Sequence, residues 1–223
     1  MKRKLSEIDG QGISTLVCLY LICVHCAVID RDMKRIRVGH KCSTCGKESD
    51  AGRLAFPTNI HMLADMTQQS FHAKSPQNIG DDTAHNIATL LHFCTLREVL
   101  ITNFLITHLR AKSIPTEIIE RLLEDNKMAH QKFTQLFASV VGKKWDDAVL
   151  AASKHDGRDY SSASDLMKRA AKLRNSFLHD GNVRGVDRDF AEECINGLGA
   201  IFGLFVALHN VYTHSLTVHN AQQ

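Results

Sequence analysis

Leu166-Met167-Lys168-Arg169-Ala170-Ala171-Lys172-Leu173-Arg174-Asn175-Ser176-Phe177-Leu178-His179 carries apolar residues at the three- and four-residue spacing of an amphipathic helix. With about 100° between successive residues, Leu166, Ala170, Leu173 and Phe177 fall on one side and predict the buried face. Asn175 and His179 fall on nearly the opposite side, and Lys168 and Lys172 share that outward stripe. Arg174 lies between the two faces, where its long side chain reaches toward the outward row. Ser161 to Ser164 offers caps at the start of this helix, and Asp180-Gly181-Asn182 predicts its stop.

Outward from this segment the chain stays helical. A last helix is expected from about Asp187 to His214, with Gly199 and Gly203 one turn apart and suited to close approach by a neighbour. Upstream, Asp82 or Thr83 caps a long helix to about Lys112, whose apolar surface comprises Ile87, Leu90, Leu91, Cys94, Val99, Ile101, Leu105 and Leu109. Pro115 opens a second helix at a position where a missing N–H is harmless, and Thr116 to Val141 continues it to Gly142. A shorter helix covers Trp145 to Ser153. Residues 81–223 therefore form one helical domain. Pro57 and Pro76 bracket a linker, 53–80, with one short helix near His61 to Phe71.

Residues 1–52 differ. Ser14 to Val24 is rich in apolar and β-branched residues, and Arg35-Ile36-Arg37-Val38 alternates with period two before Gly39, so short strands are expected. Cys23-x2-Cys26, fifteen residues, then Cys42-x2-Cys45 is the spacing of a four-cysteine zinc site, because each C-x2-C turn presents two thiolates from one tight knuckle. Four sulfurs leave no open position for water, so Cys23, Cys26, Cys42 and Cys45 predict structural Zn²⁺ with no catalytic part. Arg31, Lys34, Arg35, Arg37 and Lys41 lie between the knuckles; they suit phosphate contacts or simply a solvated face. This segment resembles the zinc ribbon family over roughly residues 14 to 48.

Composition narrows the class. Hydrophobic residues make up 44% and charged residues 23% of the 223, which fits a folded globular protein and argues against disorder. A net charge of +3 permits an anionic partner without demanding one. Seven cysteines, an odd number with no dense framework, suggest reduced thiols and a cytoplasmic setting. Lys2, Arg3 and Lys4 ahead of Leu16 to Val24 outline a signal peptide, but Glu7 and Asp9 interrupt it and the run is too short to span a bilayer, so no membrane association is expected.

The outward row of the Leu166–His179 helix has a chemistry. RNA cleavage needs a base for the 2′-hydroxyl proton, an acid for the leaving 5′ oxygen and positive charge beside the phosphate. Imidazole titrates near neutrality, and a guanidinium holds two phosphate oxygens together. An ordinary solvated helix end accounts for the same residues, since a histidine there interacts well with the helix dipole.

Arg174-Asn175-Ser176-Phe177-Leu178-His179, near the end of a helix in an all-helical domain, resembles the motif of the HEPN superfamily: arginine, often a polar residue next, and histidine four to six residues on. The resemblance spans about residues 81 to 219 and implies a mainly α fold, an HEPN-like helical bundle preceded by a small β zinc ribbon. It further implies a metal-independent endoribonuclease that leaves 2′,3′-cyclic phosphate and 5′-hydroxyl ends. Arg174, Asn175 and His179 would be catalytic, Lys168 and Lys172 would bind the RNA substrate, and the motifs of two protomers would meet in a homodimer. Active members act in toxin–antitoxin, antiphage and RNA-targeting CRISPR systems, so an antitoxin or defence-system partner is implied. Gly181 stands where toxins paired with nucleotidyltransferases often carry tyrosine, so inactivation by nucleotide transfer there is not expected. Glu98 is the candidate for the acidic residue that the family often places on an earlier helix. Two other classes remain open: a non-catalytic HEPN-like module binding nucleic acid or an effector, and a zinc-ribbon DNA-binding regulator with a helical dimerisation domain.

Overall fold

The computed structural model describes residues 21–22, 29–30, 58–73 and 82–214. The described chain is mainly α-helical. Its one β element is an antiparallel pair, β1 (Leu21–Ile22) and β2 (Ile29–Asp30), with Ile22 opposite Ile29. The four cysteines of the expected zinc site lie outside the described residues.

Two long helices carry the core, α2 (Thr83–Ala111) and α8 (Arg188–His209), the latter running on through a π-helical turn, Asn210–His214. Phe104, Leu105 and Ile101 of α2 and Leu204, Phe205 and Leu208 of α8 have no measurable exposure. Both helices are long and apolar enough to cross a membrane by length and composition, yet most of each such window is buried among its neighbours, as core helices of a bundle are. The stripe expected on α2 is accordingly too narrow: Phe93, Leu96, Leu100 and Phe104 are buried as well. Around this pair stand α1 (Thr58–His72), α6 (Trp145–Asp156) and α7 (Ser161–Asp180).

The second expected helix is broken. It ends as α3 (Thr116–Asp125), where the Asn126 side chain donates back to the Leu122 carbonyl at 3.0 Å and competes with the next helical bond. The chain restarts as α4 (Ala129–Gln131), with the Gln131 side chain accepting from the Met128 N–H. It then passes through a π-helical turn, Lys132–Leu136, into α5 (Phe137–Val141).

The assignment of 53–80 to a linker also changes. Helix α1 is longer than expected and belongs to the bundle, with Ile60, Ala64 and Phe71 buried against α2 and α8. The Arg188 guanidinium clamps its end, lying 3.6 Å from the Phe71 ring centroid and donating to the Phe71 carbonyl at 2.7 Å.

Helix α7 runs antiparallel to α8. Tyr160, Leu166 and Arg169 meet Gly203, Gly197 and Glu193 in descending order. The serines expected to cap α7 do not do so; Asp159 accepts from the Ser161 N–H at 2.8 Å instead. Gly203 lies at a close approach as expected, and its counterpart is Gly197, which faces Leu166.

A Cβ on Gly203 would stand 2.9 Å from the Tyr160 hydroxyl, which is buried and donates to Asp156. Gly203→Ala should therefore destabilise by about 1–3 kcal/mol from overpacking, offset by about 1 kcal/mol of helix propensity. The net result expected in a thermal melt is a fall of a few degrees, reduced when Tyr160→Phe removes the nearest atom. An unchanged or raised Tm would contradict this packing.

Candidate active site

The N-terminal half of α7 is anchored and its C-terminal half emerges from the bundle. Ala163, Ser164, Leu166, Met167 and Ala170 are buried, whereas Leu173 and Phe177 are half-buried and Leu178 is 51% exposed. The buried arc is thus rotated from the expected face toward Met167 and Ser164. Gly181 ends the helix in the left-handed region (φ 63°), and its N–H returns to the Phe177 carbonyl at 2.9 Å, as the sequence predicts.

That rotation sets the motif's geometry. Arg174 lies on the continuation of the buried arc and turns toward α2, where its Nη1 approaches Glu98 Oε1 at 3.8 Å with both side chains about one-third exposed. The same Nη1 donates to Asn175 Oδ1 at 3.3 Å. Glu98, singled out from the sequence as the facing acid, is therefore brought to the motif. His179 is exposed in the last turn, on the side of the helix away from Arg174. The guanidinium thus curls toward α2, not toward the outward row.

The lysines separate. Lys172 is exposed, two turns before His179. Lys168 is engaged, its Nζ 2.8 Å from Asp146 of α6 and 3.5 Å from Asp165, a pairing that holds the ammonium above its ordinary pKa. It also stands about 16 Å along the helix from His179, too far to share a phosphate with that imidazole. Lys168 lies on the same stripe, where it is ion-paired to α6.

Sequence reasoning missed a second constellation. Arg97 of α2 is 9% exposed, with its guanidinium 4.3 Å above the Phe133 ring and no acceptor for its Nε–H among the described residues. Burial pushes its pKa down. It lines a cavity of about 470 Å³ between α2, the π-helical turn, α6 and α7. The signal was present: Arg97 occupies the apolar register of Leu90, Phe93, Cys94, Ile101 and Phe104, where a cation needs an explanation. Cys94, one turn before it, is pushed up to about 12 by burial, so its thiol is an inert core group.

Comparison of the chain with family models, with curated proteins and with solved structures gives no match.

Proposed function

We propose that this chain is a metal-independent endoribonuclease of the HEPN type, cytoplasmic, dimeric and acting in defence or as a toxin. The observation that carries the reading is the pairing of Arg174 with Glu98 beside Asn175, one turn from an exposed His179 at a helix terminus. A guanidinium one-third exposed and 3.8 Å from a single carboxylate keeps donors for phosphate oxygens. Leu178 and Val183, 51% and 41% exposed beside the motif, offer apolar contact to a second copy.

In this reading one imidazole takes the 2′-hydroxyl proton as the 2′ oxygen bonds to phosphorus. The bond from phosphorus to the 5′ oxygen breaks, and the imidazole of the second copy protonates that oxygen. Arg174 neutralises charge developing on the non-bridging oxygens, and Lys172 holds a neighbouring phosphate. The finer architecture, an HEPN-like bundle behind a zinc ribbon, belongs to the same proposal. The ribbon rests on the C-x2-C spacing of Cys23 and Cys26 in the sequence. With Cys42 and Cys45 they would hold Zn²⁺, which supplies folding stability there.

The test incubates wild type and His179→Ala with mixed RNA in EDTA and analyses the fragment ends. Cyclic phosphate termini from wild type and a rate at least about a hundredfold lower in the variant are expected, with equal Tm because the imidazole is exposed. Chelation also removes a structural zinc, so ellipticity is followed in the same buffer. Equal cleavage by both folded proteins, or none by either, overturns the assignment.

A further inference from the structure

We propose that the cavity at Arg97 binds a small molecule with a flat apolar body and an anionic head group, a proposal that does not depend on the ribonuclease reading. Two observations converge on it. The cavity, about 470 Å³, lies within the size range of small-molecule sites, and its wall includes Phe133, Trp145 and Met167. On the same wall stands Arg97, nine-tenths buried and with no carboxylate within ion-pair distance among the described residues; its Nε–H is sealed from the cavity, so its terminal nitrogens are the donors a ligand would meet.

A guanidinium buried to this extent is costly, and Glu98 offsets that only through its field, without an ion pair to Arg97 among the described residues. Phe133 supplies cation–π contact, which neither neutralises the charge nor accepts its N–H groups. The balance around the cavity reinforces the sign. Lys144 and His130 also line it, while the carboxylate there, Asp146, is taken up by Lys168. A carboxylate or phosphate at Arg97 would gain charge-assisted hydrogen bonds, and an aromatic body would replace water against the rings. The Trp145 indole N–H is already donated to Ser164 Oγ at 2.9 Å, so its ring is fixed before any ligand enters.

The test is thermal unfolding of the full chain with four probes: phenyl phosphate, phenylacetate, benzyl alcohol and inorganic phosphate. Wild type should gain about 3 °C or more with at least one aromatic anion at saturation, and clearly less with the neutral alcohol or with inorganic phosphate. The more effective of the two aromatic anions identifies the head group. Arg97→Met should lose the anion-dependent gain while unfolding, without ligand, at or above the wild-type temperature, because it removes an unpaired charge and keeps the volume. Thr134→Trp, at an exposed position on the cavity wall, should also lose the gain with Arg97 intact, and it decides the matter if Arg97→Met does not fold. No gain in wild type at 10 mM probe on the order of weak fragment affinity, equal gains with benzyl alcohol, or full gains in Thr134→Trp would overturn the proposal. So would a folded Arg97→Met protein that melts well below wild type, since the guanidinium would then have a partner within the chain.

Discussion

Acidification from pH 6.5 to pH 4.5 should remove about 4 kcal/mol of folding stability through two buried histidines alone. His108 and His209 are each 3% exposed, and burial lowers their pKa values to about 4 and about 3. The surroundings oppose protonation from several sides. His209 meets the Phe104 ring at 4.8 Å and has no hydrogen-bond partner for either ring nitrogen among the described residues, while His108 faces the Lys112 ammonium. Thr213 Oγ1, 3.4 Å from His108 Nδ1, and the Val140 carbonyl are the polar groups that partly compensate.

Both rings are neutral in the folded state where the unfolded chain, with imidazoles near 6.5, already takes up protons. Stability is therefore complete above that value and falls as the pH drops toward 4 for His108 and toward 3 for His209. Each site contributes up to about 1.4 kcal/mol per pH unit. Urea unfolding at a series of pH values measures the slope. His209→Leu should roughly halve it and cost little at pH 7, because the ring it replaces leaves two nitrogens unsatisfied. An identical acid limb in both proteins would show that these rings are not the cause.

Phe104→Ala should lower stability by about 3–5 kcal/mol, a large part of what a domain of this kind typically has. Phe104 has no exposure, and its ring sits 5.6 Å from Phe137, 5.8 Å from His108 and 4.8 Å from His209. Truncation removes transfer energy and leaves a void that these rings, carried by three helical segments, cannot close together. The void would also border two imidazoles and be polar enough to hold water. Their pKa values should rise as desolvation is relieved, so the variant is weaker at neutral pH and shallower in its acid limb. A loss below about 1 kcal/mol would mean that Phe104 is not the keystone of this packing.

The helical class and most helix ends could be read directly. Pro115, Gly142 and Gly181 act through local backbone preferences that need no partner, and the structure places ends beside each. What escaped the sequence depends on contacts far away in the chain. The helix ends at Asn126, whose N–H and side-chain amide both donate to the Leu122 carbonyl, a local cap that periodicity carries straight through. Helix α2 is covered on several sides, so Phe93, Leu96, Leu100 and Phe104, off its expected stripe, are buried too, while Arg97 and His108 lie on that stripe among the apolar residues. The motif was partly legible: Glu98 and Arg174 meet, but the direction in which the guanidinium turns follows from the rotation of α7 on α8, which the glycines at 197 and 203 set. Lys168 looked like its neighbour Lys172, since Asp146 lies on another helix.

Trp145, the single tryptophan of the chain, packs edge-on against Phe133 and Phe137, tilts on Phe205 and lines the Arg97 cavity. Its fluorescence is consequently a built-in gauge with one emitter and no background from others. A blue-shifted band reports an enclosed indole in the native bundle, a red shift follows global opening, and intensity changes at constant wavelength register events confined to the cavity.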